Sequence, residues 1–416
     1  MSVPTDNLYD FIHQVTEKQY WLMRSDPWGS KELNDFGDYQ TDLDGSNGIA
    51  REHRVLHQVL NENLIGIPYF KQVRNFQPVL FCHDQEPLNF DLYQDGSEYM
   101  ERFQQTSSHD SSFPHPDFNL RNTMVWSFQE KWTLLHSELN SVELSRYEST
   151  GKYAGAYWWS HAMLALDWYR YAKSDLSLEH NSPQKLFLIY ARDSTGTRKY
   201  RNDFLQMIVE IQSQCQIGSI TNQQITSASS ATYDSLDFTS TAFSIVLETL
   251  FDDSRIHLTE KTLRPIACGH PFILAAGAGS LALLRKYGFE TFSPWINESY
   301  DTLTDSQERL SAIVNEMKRI SNLSQDQQAH VIDQCRAIAF RNKQRFFQED
   351  FFNDIVSELK INVSKAWKQH QGRLSPDFYW QTLRWRRKNK PEFFTPNVIA
   401  SQRILLPLIR KIRQST

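Results

Sequence analysis

The chain has 416 residues, 40% of them hydrophobic and 13% aromatic, enough for two ordinary domains with packed cores. The formal net charge is −5, so no global field points to nucleic acid. Four scattered cysteines, Cys82, Cys215, Cys268 and Cys335, form no CxxC pair and no His-rich cluster. That excludes a zinc finger or disulfide framework and fits a reducing cytoplasm.

The first residues lack the basic-then-apolar pattern of a signal peptide. No uninterrupted apolar run reaches the ~18 residues of a membrane span; the nearest, Pro271–Leu284, is broken by Gly277 and Gly279. Two polar stretches punctuate the chain. Gln104–Asp117 reads as a long loop, and Ser174–Gln184 reads as a linker.

Before the linker, "QPVLFCHDQEP" predicts a buried strand with His83, Asp84 and Glu86 at its carboxyl end. "KWTLLHSELNS" repeats the pattern, with His136, Ser137 and Glu138 at the end. "GAYWWSHAMLALDWYRYAK" predicts a short strand or turn running into an amphipathic helix that carries His161 and Asp167. Three polar strand ends would converge on one rim, where a carboxylate or imidazole can take a proton from a hydroxyl. For any one of them, a solvated loop or helix cap explains the residues as well.

After the linker the alternation restarts. "KLFLIYARD" predicts a strand, and "TGTRKYRNDFLQMIVEIQSQ" a loop and a helix with Phe204, Ile208 and Ile211 at helical spacing. Arg192, Arg198, Lys199 and Arg201 surround that helix start and suit a diphosphate, surface charge being the plain alternative. "AFSIVLET" predicts a strand, "TEKTLRPIACG" a helix, "HPFILAAG" a strand and "SLALLRKYG" a helix closed by Gly288. "FETFSP" predicts a further short strand. The pattern as a whole is α/β, two doubly wound units facing a cleft.

Thr259 fits the N-cap of the second of these helices. The free amides there, with Lys261 in the first turn, favour an anion. Glu260 beside them suits sugar hydroxyls. Together they fit a phosphorylated, hydroxyl-rich ligand such as a nucleotide sugar; a capping acid and a solvated lysine are the bland alternative. No Walker or GxGxxG loop occurs.

The run "FSIVLET…HLTEKTLRPIACGHPFILAAG" resembles the donor-binding signature of the α-1,3-fucosyltransferase group, glycosyltransferase family 10. Glu248 stands at its first acid, and Thr259, Glu260 and Lys261 at its Thr-Glu-Lys. "YRNDFLQMI" resembles its Arg-Asn-x-Phe stretch, which places Arg201 at the phosphate-binding arginine. The likeness covers about 185–320 and is weak before 180, where "HDQEP" puts Glu86 in the place of the catalytic base. Thr249 replaces the asparagine after the first acid, and Leu258 replaces the aromatic before the triplet, leaving Tyr233 or His257 for stacking.

The resemblance implies a metal-independent inverting transferase of the GT-B type, needing no cofactor beyond a nucleotide-sugar co-substrate, GDP-fucose or another. Residues 1–180 would bind a glycan or lipid-linked saccharide acceptor, with His83, Asp84, His136, Glu138 and His161 on that side. Residues 185–345 would bind the donor, and the final helices would cross back to the first domain. No Asp-x-Asp motif stands at a strand end, so no metal is expected. A non-catalytic nucleotide- or glycan-binding protein on the same fold is the other reading.

The last unit, 346–416, is a basic helical tail. Residues 361–416 hold twelve Lys or Arg against Asp377 and Glu392. Such a tail would either touch the anionic inner face of a membrane or pack its apolar side on the body. The expected location is cytoplasmic.

Overall fold

A computed structural model of the chain describes residues 2–3, 8–16, 21–24, 79–83, 87–88, 132–149, 153–179, 182–191, 194, 196–218, 231–251 and 254–369. These residues are mixed α/β, and among them lie two four-stranded parallel sheets.

The first sheet contains β1 (Trp21–Arg24), β2 (Val79–His83), β3 (Trp132–His136) and β4 (Tyr153–Tyr157), side by side in chain order. Helix α1 (Leu8–Val15) precedes it, and α2 (Val142–Ser149) joins β3 to β4. Because these strands advance in one direction, no reversal of strand order occurs among them. Register brings His83 level with His136, and His136 level with Tyr157, so three strand ends form one rim. Gly155 lets α2 sit close on β4: a Cβ there would meet Leu144 Cδ1 at 2.6 Å.

Helix α3 (Ser160–Trp168) follows β4. Sequence predicts an amphipathic helix here, but every residue from Ser160 to Asp167 is buried. The reason is tertiary: later helices cover the face that would otherwise meet water. Trp158 and Trp159, just before it, are both 0% exposed.

The second sheet contains β5 (Lys185–Tyr190), β6 (Cys215–Gly218), β7 (Thr241–Leu247) and β8 (Phe272–Ala275), in the order β6-β5-β7-β8. Strand order reverses between β5 and β7, the place where open parallel sheets hold ligands beyond their carboxyl ends. Between the strands lie α4 (Tyr200–Met207), α5 (Ser235–Thr239) and α6 (Glu260–Cys268), and α7 (Ser280–Lys286) follows β8. All seven residues of β7 are buried, as its apolar run requires of a central strand. Gly269, at φ 68°, closes α6 in the left-handed conformation that glycine tolerates. The segment Phe289–Pro294 is not a strand. Phe289 and Phe292 turn into the core instead, Phe292 lying edge-on to Phe272 at 5.0 Å.

Three long helices complete the described chain: α8 (Ser306–Ser321), α9 (Gln325–Phe346) and α10 (Glu349–Gln369). Asp305 caps α8, and Ser324 with Gln327 forms a capping box on α9. Helix α10 packs on β4, β3 and α1 of the first sheet. The Trp158 indole donates to the Ile355 carbonyl at 3.1 Å, and Asn362 Nδ2 donates to the Tyr157 carbonyl at 2.7 Å. One apolar cluster runs through both sheets and α10, from Leu80 and Leu135 through Ile245 and Ile273 to Ile355 and Leu359. No helix among the described residues is long and apolar enough to cross a membrane. The basic run from Arg373 onward lies outside the described residues.

Candidate functional site

The start of α6 is organised from below by an acid. Glu248, immediately after β7, is 0% exposed. Its carboxylate accepts from Thr259 N at 3.0 Å, Thr259 Oγ1 at 2.7 Å, Thr262 Oγ1 at 2.6 Å and Thr249 N at 3.3 Å. Four donors account for its lone pairs, so Glu248 ties the strand end to the helix start instead of facing an open site. Arg201 is placed similarly. It is buried, and its guanidinium donates to the carbonyls of Leu247 at 2.6 Å and Glu248 at 3.3 Å. Tyr200 donates to the same Glu248 carbonyl at 2.7 Å and stacks on Phe251. The arginine that the resemblance assigns to phosphate thus holds the end of β7.

Thr259 caps α6, accepting from Lys261 N at 3.3 Å. Glu260 is nearly buried, and its Oε1 meets Lys261 Nζ at 2.8 Å while Oε2 lies 4.0 Å from His161 Nε2. Burial pushes its pKa up, but the charges of Lys261, His161 and Arg264 outweigh burial and hold the carboxyl well below its ordinary range.

The segment before α6 fastens the two sheets together. Leu139 and Ile256 form an antiparallel bridge, with N–O distances of 2.9 and 3.0 Å. Arg255 lies 3.3 Å from Glu138, which also accepts from Leu88 N. Glu138 is 1% exposed, and burial raises its pKa even against Arg255. His257 Nδ1 lies 3.1 Å from Ser137 Oγ, and its ring meets that of His161 edge-on at 5.0 Å. Burial, then the neighbouring His161, depresses the His257 pKa well below 6.5 and keeps the ring neutral. The Trp159 indole donates to the Leu258 carbonyl at 2.9 Å. His136 packs edge-on against Tyr157.

A shallow pocket lies between α6 and the β5–β7 pair, enclosing about 20 Å³ and otherwise open to solvent. Its polar lining comes from Tyr190, Ser244, Lys261 and Arg264. The Arg264 guanidinium lies 4.5 Å from the centroid of the Tyr190 ring, whose hydroxyl donates to Asp237.

The fold therefore brings His136, Glu138 and His161 of the first half to His257, Thr259, Glu260 and Lys261 of the second. Tyr233 lies apart from that group: its hydroxyl donates to Asp175 at 2.9 Å, and its ring packs on the cluster of Leu188, Phe238 and Cys268 beside Tyr190. Asp167 pairs with Arg170 at the far end of α3. Arg198 lies partly buried in the turn Gly196–Arg198. Asp84, Glu86 and Arg192 lie outside the described residues, as does the side chain of His83. Arg255, Arg264 and Tyr190 escaped the sequence reading. Arg264 had a signal, since it stands three residues after Lys261 and shares its helix face.

Among the described residues, no group of three or more His, Cys, Asp or Glu is placed to hold a metal. No protein-family model, curated protein or solved structure matches the chain.

Proposed function

We propose that the protein is an inverting glycosyltransferase of the GT-B type, moving a fucose-like sugar from a GDP-linked donor to a hydroxyl of a glycan or lipid-linked saccharide. One observation carries the reading. At the reversal of strand order in the second sheet, a pocket is lined by Lys261 and Arg264, while Glu260 of the same helix turns toward His161 of the first half. Cations over the pocket suit a diphosphate, and the acid at the junction suits sugar hydroxyls.

In this reading the first sheet and its rim receive the acceptor, and the second holds the donor. Glu86 removes the acceptor hydroxyl proton as that oxygen bonds to the anomeric carbon. The bond from that carbon to the diphosphate breaks, and its electron pair stays with the diphosphate. Lys261 and the amides of α6 stabilise the charge that develops there, in place of a metal. Closure of the halves excludes water and suppresses donor hydrolysis. The basic tail would touch the anionic inner face of a membrane, where a lipid-linked acceptor would sit.

A non-catalytic binding protein is the second reading. What favours it is Glu138, an acid at the rim of the first sheet that is already engaged by Arg255. Thermal unfolding against GDP, UDP, CDP, CMP and ADP separates the cases. A ligand at a hundred times its Kd stabilises the folded state by about 2.7 kcal/mol. The expected result is a rise in Tm with GDP that Lys261→Ala abolishes, accompanied by slow hydrolysis of the GDP-sugar. A rise with another nucleotide replaces the donor. Binding without hydrolysis or transfer supports the second reading, and no rise with any nucleotide ends the transferase and leaves of the second reading only a glycan binder.

A further inference from the structure

Resting on that reading, we propose that the donor's diphosphate is gripped by Arg264 together with Lys261, at the mouth of the pocket between α6 and β5–β7, and that Arg201 has no part in it. Arg201 is buried against the last carbonyls of β7, where its contacts serve the strand. Arg264 is different. It is partly buried and lines the pocket, and among the described residues no carboxylate forms an ion pair with it, Glu260 acting on it only from longer range. Its one hydrogen bond among them is to the Thr232 carbonyl, at 3.4 Å.

Three features make this a site for a phosphate and not a stray surface charge. The guanidinium lies over the Tyr190 ring, 4.5 Å from its centroid, and Tyr190 is itself fixed by Asp237. A guanidinium over a ring still offers N–H groups at its edge to phosphate oxygens. Lys261 stands one turn earlier on the same helix face and lines the same pocket. Its ammonium is held by Glu260 and Thr259 near the capped helix end, where the backbone also favours negative charge. Two cations thus face one small pocket against a single acid. That acid, Glu260, is turned toward His161.

The test uses the full chain and inorganic pyrophosphate as the probe, titrated by calorimetry, with GDP in a parallel arm. Pyrophosphate should bind the wild type, and Arg264→Gln should weaken it about tenfold or more, the loss of a charge-assisted hydrogen-bond pair. Arg264→Lys keeps the charge and loses the fork, so it should fall between the two, and it serves if Arg264→Gln folds poorly. Pyrophosphate that fails to bind the wild type overturns the proposal. So does loss of binding in Arg198→Gln with Arg264→Gln unaffected, which would move the site to the loop after β5. GDP binding and sugar transfer that survive Arg264→Gln keep the transferase and overturn the assignment. Pyrophosphate binding that depends on Arg264, in a chain with no transfer from any nucleotide sugar, keeps the assignment and removes the transferase.

Discussion

Two stretches of the same short segment handle charge in opposite ways. At residues 255–257 every charge is answered inside the protein: Arg255 meets Glu138, and the neutral His257 sits on Ser137. At residues 261–264, two cations stand in a pocket with Glu260 as their nearby acid. The first stretch joins the two sheets, while the second carries two cations against one acid, which Lys261 already engages. Under the proposed function it is this surplus of charge, and not polarity alone, that would mark the binding residues.

The comparison breaks most sharply at the joint. Arg255→Ala leaves Glu138 buried without its cation and should lower stability by about 3–5 kcal/mol, read from the denaturant midpoint. Glu138→Gln combined with Arg255→Met should recover much of that loss, since the pair then carries no buried charge. A loss under ~1 kcal/mol for Arg255→Ala would make the joint an ordinary surface pair.

The next effect is graded with pH. Both His257 and Glu260 have folded pKa values below their ordinary ones, so the unfolded chain takes up protons first as pH falls. Their stabilisation is complete above the unfolded values. His257 begins to lose it below pH 6.5, and Glu260 below pH 4.5. The stability gap between wild type and Glu260→Gln should therefore be constant above pH 4.5 and shrink as pH falls further. A gap that grows on acidification would contradict the Lys261–Glu260 pairing.

The smallest effect belongs to the pocket. Without ligand, Arg264→Gln removes one stacked cation and one long hydrogen bond, and should cost about 1 kcal/mol or less. Binding residues should be nearly silent in stability and loud in affinity, while joint residues should behave the other way round.

Much of the parallel α/β pattern was legible. The apolar runs ending in His83, His136, Tyr190 and Leu247 are strands, and Thr259 and Gly269 bound α6 as their residue types suggest. Other features were hidden because they depend on distant partners. Trp158 and Trp159 look like the edge of an amphipathic helix until α10, some two hundred residues later, covers them. Glu248 looks like a ligand acid, since its donors on Thr259 and Thr262 can be counted only after the chain has turned back. Arg201 reads as a phosphate ligand, or as surface charge, because sequence carries no sign of the β7 carbonyls it meets. Strand order, which puts the reversal between β5 and β7, is a property of pairing and not of any one strand.

The packing of α10 on β4 has a consequence for how the chain is made. Trp158 and Ile355 are 197 positions apart. At ribosomal speeds of ~5–20 residues per second, the first sheet waits roughly 10–40 s for the helix that covers it. During that interval an apolar strand and two tryptophans lack their lid. The amino-terminal half is begun first and finished last, and a nascent chain stalled before residue 349 should be a client for chaperones.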